Sequence, residues 1–277
     1  MKHVAMAAAT LLTPLLLAGC LVTPHVITFP DGTSYKGPAV DGVPEGRGVI
    51  TFANRDVYNG QVHNGQMHGK GRLSYADGTS CYEGDFKDGQ RHGEGVLTRP
   101  FRHMNTDTVV IYTGTFVNDK GEGPAVQEVK GMFTITASCR DCLAFGPGTR
   151  TYVNGDTYVG EFRNNHHYKG TYTWANGDTY EGTFDGHNPH GKNGKKTFAD
   201  GSVYRGDVSR RLMHGNGDLT FADGTRYKGT FVKDKMHGTG SITYPDGSRY
   251  EGEFKDDEIR GQGIFTATDG TQTATTL

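Results

Sequence analysis

A tripeptide, Tyr-x-Gly, recurs along the chain at a nearly constant spacing. Its tyrosines are Tyr35, Tyr58, Tyr82, Tyr112, Tyr158, Tyr180, Tyr204, Tyr227 and Tyr250. The successive spacings are 23, 24, 30, 46, 22, 24, 23 and 23 residues, and 46 is twice 23. A fixed period near 23 residues over most of a chain indicates a repeat array, in which each unit stacks on its neighbours.

The repeat that starts at Tyr227 shows what one unit must look like. Tyr227, Gly229 and Phe231 alternate with polar residues, which is the period of a strand with one covered face. A short polar turn follows, and Ile242 and Tyr244 show the same alternation. A Pro-Asp-Gly sequence then marks a tight turn. Each unit is therefore predicted to be a β-hairpin.

The composition favours a thin sheet over a thick core. Hydrophobic residues make up 34% of the chain, whereas glycine contributes 42 residues, tyrosine 14 and phenylalanine 14. Glycines in register let large rings from neighbouring strands lie across them. Aromatic residues at fixed intervals also argue against disorder. Because one hairpin cannot bury its own apolar face, we expect a solenoid-like, elongated and twisted antiparallel sheet.

The order Tyr-x-Gly-x-Phe, Gly-x-Gly and Asp-Gly at this period resembles the MORN repeat (membrane occupation and recognition nexus), from about Ile27 to Gly270. The resemblance implies an all-β fold, a single-layer antiparallel sheet of consecutive MORN-type β-hairpins. Members of the family serve mostly as scaffolds, dimerisation elements and membrane-associated modules. The resemblance therefore implies no particular reaction.

The N-terminal segment is predicted to be a lipoprotein signal peptide over residues 1–19, followed by an anchor and linker over residues 20–26. Leu17-Ala18-Gly19-Cys20 resembles the lipobox of bacterial lipoproteins, which implies cleavage before Cys20 and acylation of that residue. Leu21 follows it in place of Asp, which resembles the pattern of outer-membrane lipoproteins. The expected location is the bacterial cell envelope, on the periplasmic face of the outer membrane in a Gram-negative cell. The alternative is an ordinary signal peptide.

The period divides the rest of the chain. Regular repeats are predicted over residues 27–98 and 154–270, irregular repeats with inserted loops over residues 99–153, and a disordered tail over residues 271–277. In the irregular part, residues 99–107 replace a tight turn with a longer loop. Val129-Lys-Gly-Met-Phe133 is taken there as the start of a weak unit. Repeat proteins often carry function on such insertions.

Cys139 and Cys142 form a CxxC pair within the irregular part. In an exported protein a small disulfide is the simplest interpretation, and free thiols are the alternative. A redox site of the thioredoxin type would need a strand-to-helix setting, and a zinc site would need more ligands. Cys81, in the strand pattern, is expected to be packed or to be an unpaired thiol.

Histidines recur close to the Gly-x-Gly sequence. His68, His92, His190, His214 and His237 each follow their tyrosine by ten residues, and His167 is equivalent if one residue is deleted before it. Such a series could bind metal or respond to pH. Two strands at about 4.8 Å each place successive repeats about 10 Å apart, too far for shared zinc ligation. The histidines are therefore predicted to be turn residues, and no metal site is expected.

No enzyme signature is present in the sequence, so no catalytic residue and no cofactor are predicted. The formal net charge of −2 is no footprint for nucleic acid.

Two functions follow as hypotheses. The first is a non-catalytic, lipid-anchored scaffold that binds a protein, peptidoglycan or a lipid surface and in which self-association to a homodimer remains open. Its predicted binding face is aromatic: Tyr58, Phe86, Tyr180, Phe184, Tyr204, Tyr227, Phe231, Tyr250 and Phe254. The second is an enzyme or a specific glycan receptor with its site in the irregular centre, residues 99–148.

Overall fold

The structure, a computed structural model, describes residues 25–103 and 106–276. The predicted signal peptide and the lipidation site Cys20 lie outside these residues. The chain forms two compact units, unit 1 ending at Leu143 and unit 2 beginning at Ala144.

Unit 1 consists of strands and turns. Its strands are β1 (His25–Thr28), β2 (Ser34–Gly37), β3 (Ala39–Val40), β4 (Val43–Pro44), β5 (Gly46–Thr51), β6 (Val57–His63), β7 (Gln66–Ser74), β8 (Cys81–Lys87), β9 (Gln90–His103), β10 (Thr106–Val117), β11 (Lys120–Val129) and β12 (Phe133–Arg140). From β5 to β12 each strand pairs antiparallel with the next. β2 pairs with β1 and β5, and the short strands β3 and β4 pair with each other.

Unit 2 has the same construction. Its strands are β13 (Leu143–Tyr152, whose first residue is the last of unit 1), β14 (Thr157–Arg163), β15 (His166–Thr173), β16 (Thr179–Asp185), β17 (Asn188–Pro189), β18 (Gly191–Thr197), β19 (Val203–Ser209), β20 (Leu212–Thr220), β21 (Arg226–Val232), β22 (Lys235–Thr243), β23 (Arg249–Lys255), β24 (Glu258–Thr266) and β25 (Gln272–Thr276). Successive strands again pair antiparallel, with β16 pairing both with the short β17 and with β18. The predicted all-β fold of consecutive antiparallel hairpins is confirmed.

Two kinds of turn join the strands. Inside a repeat, both central residues have positive φ, for example Lys233 (51°) and Asp234 (69°), as in the type I′ turns that suit twisted hairpins. Between repeats, a glycine takes the positive φ, as Gly247 does at 89°. There the Asp246 carboxylate accepts a hydrogen bond of 2.9 Å from the Ser248 backbone N–H. The predicted Pro-Asp-Gly turn is thus present.

The repeated tyrosine and glycine form one element of the core. A Cβ atom on Gly60 would lie 2.4 Å from Tyr58 Oη, and one on Gly71 would lie 2.3 Å from the same ring. Gly60 and Gly71 are cross-strand partners, so the Tyr58 ring covers a glycine of its own strand as well as one of the next strand. From the sequence, only the ring lying across a glycine of the neighbouring strand is predicted. Any side chain at either glycine would displace the ring.

Phenylalanines connect one repeat to the next. The Phe231 ring lies edge-on to Tyr227 of its own repeat and to Tyr204 of the preceding one, with both centroid distances 5.1 Å. Phe254 contacts Tyr227 and Tyr250 in the same manner, at 4.9 and 5.5 Å. Edge-on aromatic pairs contribute about 0.5–1.5 kcal/mol each beyond the area they bury. The core of each unit is therefore a continuous stack that no single repeat could form.

Backbone hydrogen bonds add a second connection between repeats. The Asp234 N–H donates to the Met213 carbonyl at 3.0 Å, and the Met213 N–H donates to Asp234 Oδ1 at 2.7 Å. Asp257 and Met236 repeat this exchange one unit later, at 3.1 and 2.8 Å. The turn residue thus satisfies backbone groups that belong to the preceding repeat.

The irregular centre differs from its prediction in two respects. Residues 99–103 and 106–107 lie in strands, because β9 runs to His103, β10 starts at Thr106, and Arg99 pairs with Val110. Val129–Phe133 does not start a repeat either, since the Met132 N–H bonds to the Val129 carbonyl across a turn at 3.0 Å.

The repeat that the sequence analysis missed starts at Ile135. Ile135 pairs with Gln127, which pairs with Tyr112, so Ile135 occupies a tyrosine position, and it is buried. It lies 23 residues after Tyr112 and 23 before Tyr158. Cys139 takes the corresponding phenylalanine position. The doubled spacing of 46 was the signal for this repeat.

The C-terminal tail is also ordered differently from its prediction. Gln272–Thr276 forms β25, which pairs antiparallel with β24. The pairing runs from Gln262 opposite Thr276 to Thr266 opposite Gln272. Thr273 pairs with Phe265, which pairs with Tyr250, so Thr273 takes the position at which the earlier repeats, except the one at Ile135, begin with tyrosine. The tail is therefore the first strand of a further, degenerate repeat.

Candidate binding face

The aromatic residues predicted as a binding face are core residues. Their exposed fractions lie between 0 and 8% for the set Tyr58, Phe86, Tyr180, Phe184, Tyr204, Tyr227, Phe231, Tyr250 and Phe254. They are covered because each ring lies over glycines and against its neighbours in the stack. This corrects the prediction, since side chains buried to this extent offer almost no surface to a partner.

Hydroxyls of the stacked tyrosines also make hydrogen bonds, although the buried hydroxyl of Tyr250 has no partner among the described residues. Tyr58 Oη donates to the Gln61 carbonyl at 2.6 Å, and Tyr227 Oη donates to the Thr230 carbonyl at 3.0 Å. Burial raises the pKa of both phenols to about 12. These hydroxyls remain protonated and satisfy backbone carbonyls inside the sheet.

The opposite face of each sheet carries a row of side chains with one residue from each successive long strand, which we call the open-face row. Its members are direct cross-strand partners. In unit 1 the row is Val26, Lys36, Val49, Asn59, Arg72, Glu83, Val96, Thr113, Val126 and Thr136. In unit 2 it is Thr149, Val159, Thr171, Glu181, Lys195, Arg205, Asp218, Lys228, Ser241, Glu251, Ile264 and Ala274.

The open-face row mixes exposed apolar and charged side chains. Val26, Val159 and Ile264 are 68, 56 and 46% exposed. Neighbours along a row lie about 4.8 Å apart because that is the spacing of paired strands. A partner on this face would therefore meet a regular series of side chains. The sequence pattern contained this row, since its members flank the glycine and tyrosine positions, but the sequence analysis did not select it.

A cleft of about 600 Å³ opens on this face of unit 2. It is lined by Lys169, Gly170, Thr171, Glu181, Gly182, Asn193, Lys195, Arg205 and Gly206. Three of these residues are cationic and one is acidic, so the cleft carries an excess of positive charge. The predicted site at residues 99–148 does not include it.

A polar cluster interrupts the core of unit 2. Arg150 is 2% exposed and donates to the Asn165 carbonyl at 2.6 Å and to Tyr152 Oη at 3.3 Å. The His167 ring, also 2% exposed, stacks on Tyr158 with centroids 3.8 Å apart. Burial, and then the nearby Arg150 charge, lower the pKa of His167 to about 2. The imidazole is therefore neutral at physiological pH.

The histidine series is only partly as predicted. His68 and His237 lie in the return strand just after the turn, paired with Gln61 and Thr230 beside a bulge, and not in the turn itself. His167 is not equivalent to them. It pairs with Phe162 as Met236 pairs with Phe231, so the deleted residue falls after the histidine rather than before it. His167 thus takes the core-facing position that Met213 and Met236 take in their repeats.

Cys81, Cys139 and Cys142 are free thiols in the structure. Cys139 Sγ lies 2.6 Å from Tyr112 Oη, and Cys142 occupies the second turn residue after β12, with φ of 61°. Burial is the main cause that raises the pKa of both Cys139 and Cys142. Both are therefore protonated and weakly nucleophilic at neutral pH.

Within residues 25–103 and 106–276, no three His, Cys, Asp or Glu side chains are grouped to hold a metal ion. The same part of the chain has no helix of the length and apolarity that crossing a bilayer requires.

Together these features define a protein of stacked β-hairpin repeats with one aromatic core face and one open face. The family model of the MORN repeat matches residues 40–57, 58–80, 82–100, 143–157, 158–179, 180–203, 204–226, 227–249 and 250–272. The chain belongs to the MORN-repeat family. MORN repeats suggest a repeat scaffold or a membrane-binding role.

Comparison with curated proteins finds no significant match. Among solved structures, one similar chain is the TCP domain of SAS-4 (dCPAP) of Drosophila melanogaster, in complex with a proline-rich motif of Ana2 (dSTIL). The two chains are 12% identical, and the match covers 97% of this chain and 99% of that chain with a TM-score of 0.14. That score is too low to indicate a shared fold.

Proposed function

We propose that this chain is a non-catalytic, lipid-anchored repeat scaffold of the bacterial cell envelope, which binds a protein, peptidoglycan or lipid-surface partner through its open face. One observation carries the proposal. The aromatic side chains of each unit are used in its core, whereas the open-face row leaves one side chain of every long strand accessible. A long, regular and chemically mixed surface suits an extended partner.

The anchoring part of the proposal is supported by the lipobox-like sequence that ends at Cys20. Several acyl chains on one residue would hold the protein stably at a bilayer surface. The test is metabolic labelling with palmitate followed by membrane fractionation. Cys20→Ser should remove the label and release the protein from the membrane fraction. Labelling that persists in Cys20→Ser would contradict the anchor.

The scaffold part is tested by cross-linking in intact cells and identification of the partner. The test variant carries Val159→Ser, Lys228→Ser and Glu251→Ser, three exposed members of the open-face row. The control variant carries Val153→Ser, Lys233→Ser and Asp223→Ser, which are exposed turn residues outside that row. We expect the same cross-linked species with the wild type and the control, and its loss in the test variant. Equal capture by both variants would contradict the open face as the binding surface.

The alternative function, an enzyme or glycan receptor at residues 99–148, relied on inserted loops. In the structure, residues 99–103 and 106–117 continue as paired strands. The cleft lies instead between residues 169 and 206. We therefore do not propose that alternative.

A further inference from the structure

Two like charges face each other in the cleft of unit 2. Lys195 on β18 and Arg205 on β19 are direct cross-strand partners, and both line the cleft. Like charges placed directly opposite on one face of a sheet are destabilising. Along the open-face rows of the described residues, every other charged neighbour of a cation is acidic, as with Arg72 and Glu83. The Lys195–Arg205 pair therefore stands out from the rest of the rows.

The acidic neighbours do not neutralise this pair. Asp218, the next residue after Arg205 in the row, instead accepts hydrogen bonds from Arg226. Arg226 Nε donates to Oδ1 at 2.8 Å, and Nη2 donates to Oδ2. Glu181, on the other side of Lys195, has no ion pair within 4.0 Å among residues 25–103 and 106–276. In the same part of the chain, the side chains of Lys195 and Arg205 donate no hydrogen bond. Both cations are thus available to a ligand.

The backbone around the pair leaves room for that ligand. Gly170, Gly182 and Gly206 line the cleft with backbone atoms, since a Cβ at each would point to the core face. The register of β18 and β19 shifts between Gly191 and Gly194, and Asn193 adopts a φ of 58° within this bulge. The resulting volume of about 600 Å³ is that of a small-molecule site. Asn193 and Thr171 add neutral hydrogen-bonding groups to its wall.

We infer that this cleft binds the phosphate group of a ligand whose adjoining part carries an amine or a hydroxyl. A phosphate has enough oxygens and charge to contact an ammonium and a guanidinium at once, and arginine matches its geometry with two parallel hydrogen bonds. Glu181, one strand from Lys195, repels a second anion and accepts from a donor. The order of charges therefore selects a phosphate ester of an amino alcohol or a sugar over a polyanion. The inference rests on the proposed function only in placing binding on the open face.

Phosphoethanolamine is the probe that matches this order of charges. The full chain, kept in non-ionic detergent micelles, is titrated with phosphoethanolamine and, as a control, with ethanolamine, and binding is measured by calorimetry. Lys195→Gln and Arg205→Gln should each weaken phosphoethanolamine binding by about tenfold, the effect of losing one charged hydrogen bond. Lys233→Gln, a cation of an exposed turn outside both the open-face row and the cleft, should leave binding unchanged. Glu181→Gln should weaken binding of phosphoethanolamine and not of inorganic phosphate.

The source of the phosphate is distinguished in a lipid arm, with micelles doped with phosphatidylethanolamine or with diacylglycerol. If binding that depends on Lys195 and Arg205 is found only with micelles containing phosphatidylethanolamine, the phosphate belongs to a lipid headgroup. If it is found only with phosphoethanolamine in solution, the phosphate belongs to a soluble ester. The inference is overturned if no probe binds saturably, if Lys233→Gln weakens binding as much as Lys195→Gln, or if no variant changes binding. Circular dichroism shows that each variant is folded. If phosphate binding fails but partner cross-linking persists, this inference is wrong and the proposed scaffold function still stands.

Discussion

Arg150 lies directly opposite Tyr158 in unit 2, at the position that Ile50 takes opposite Tyr58 in unit 1. Both Arg150 and Ile50 are buried. A guanidinium in an aliphatic position needs polar partners, and the Asn165 carbonyl and Tyr152 supply them. The Arg150 charge acts on His167, which takes the position of Met236, so two substitutions in the repeat pattern explain a polar cluster inside the core.

This cluster predicts a stability that decreases in acid. The pKa of His167 is lowered in the folded state to about 2 from an ordinary value of 6.5, so the unfolded chain binds the proton more readily. Stability from the neutral imidazole is complete above pH 6.5 and is lost as the pH falls below it, by about 1.4 kcal/mol per pH unit. Urea denaturation at several pH values measures it. His167→Met introduces the residue found at the equivalent position, Met236. This substitution should remove the contribution of His167 to the pH dependence of stability. An unchanged slope would contradict the assignment.

The glycines under the tyrosine rings predict a steric effect of Gly60→Ala. The added Cβ would lie 2.4 Å from Tyr58 Oη and 2.5 Å from Gly71 Cα, so the ring and both strands must move. We expect a loss of about 1–3 kcal/mol, seen as a lower melting temperature. Gly78→Asn is the control, because Gly78 has open space around it and asparagine tolerates its positive φ. Equal effects of the two substitutions would show that the ring contact is not the cause.

The buried ion pair of unit 1 predicts that replacing one partner costs more stability than replacing both. Arg91 is 5% exposed, and its Nε lies 3.0 Å from Asp119 Oδ1. Asp119→Asn keeps an oxygen for the Arg91 backbone N–H and tolerates the positive φ, but it leaves the guanidinium buried without its carboxylate and should cost about 3–5 kcal/mol in urea denaturation. Adding Arg91→Met should recover most of the loss, since Met67 takes the same position one repeat earlier. A double variant as unstable as Asp119→Asn would exclude the buried charge as the cause.

The two cysteines of the degenerate repeat predict a disulfide under oxidising conditions. Cys139 Sγ contacts Tyr112 Oη, and a Cβ on Gly121 would lie 2.6 Å from Cys142 Sγ and 2.7 Å from the same hydroxyl. Exchange with oxidised glutathione would join the two sulfurs and release two molecules of reduced glutathione. In a Cys20→Ser chain, thiol titration should then find only Cys81 free, with a mass lower by two hydrogen atoms. Cys139→Ala should show no such mass change, and thiols that all persist in the parent chain would contradict the disulfide.

Several features of the fold could be predicted because they are local. The alternation around Tyr227 and the Pro-Asp-Gly turn each specify a hairpin within a few residues. The degenerate repeat at Ile135 was missed because isoleucine, alanine and cysteine replace tyrosine, glycine and phenylalanine, and only the spacing remained. The place of His167 was missed because the bulge that positions it depends on pairing with the neighbouring strand.

The sequence by itself determined the period, the hairpins and the turns, since these follow from side-chain alternation and from residues that accept positive φ. Only the tertiary structure decided which side chains meet. The stacking of repeats places the aromatic side in the core and leaves the opposite row accessible. Cross-strand register then sets Lys195 against Arg205 and Arg150 against Tyr158. Residues ten or more positions apart become neighbours only through pairing, and a bulge of one residue changes which ones do.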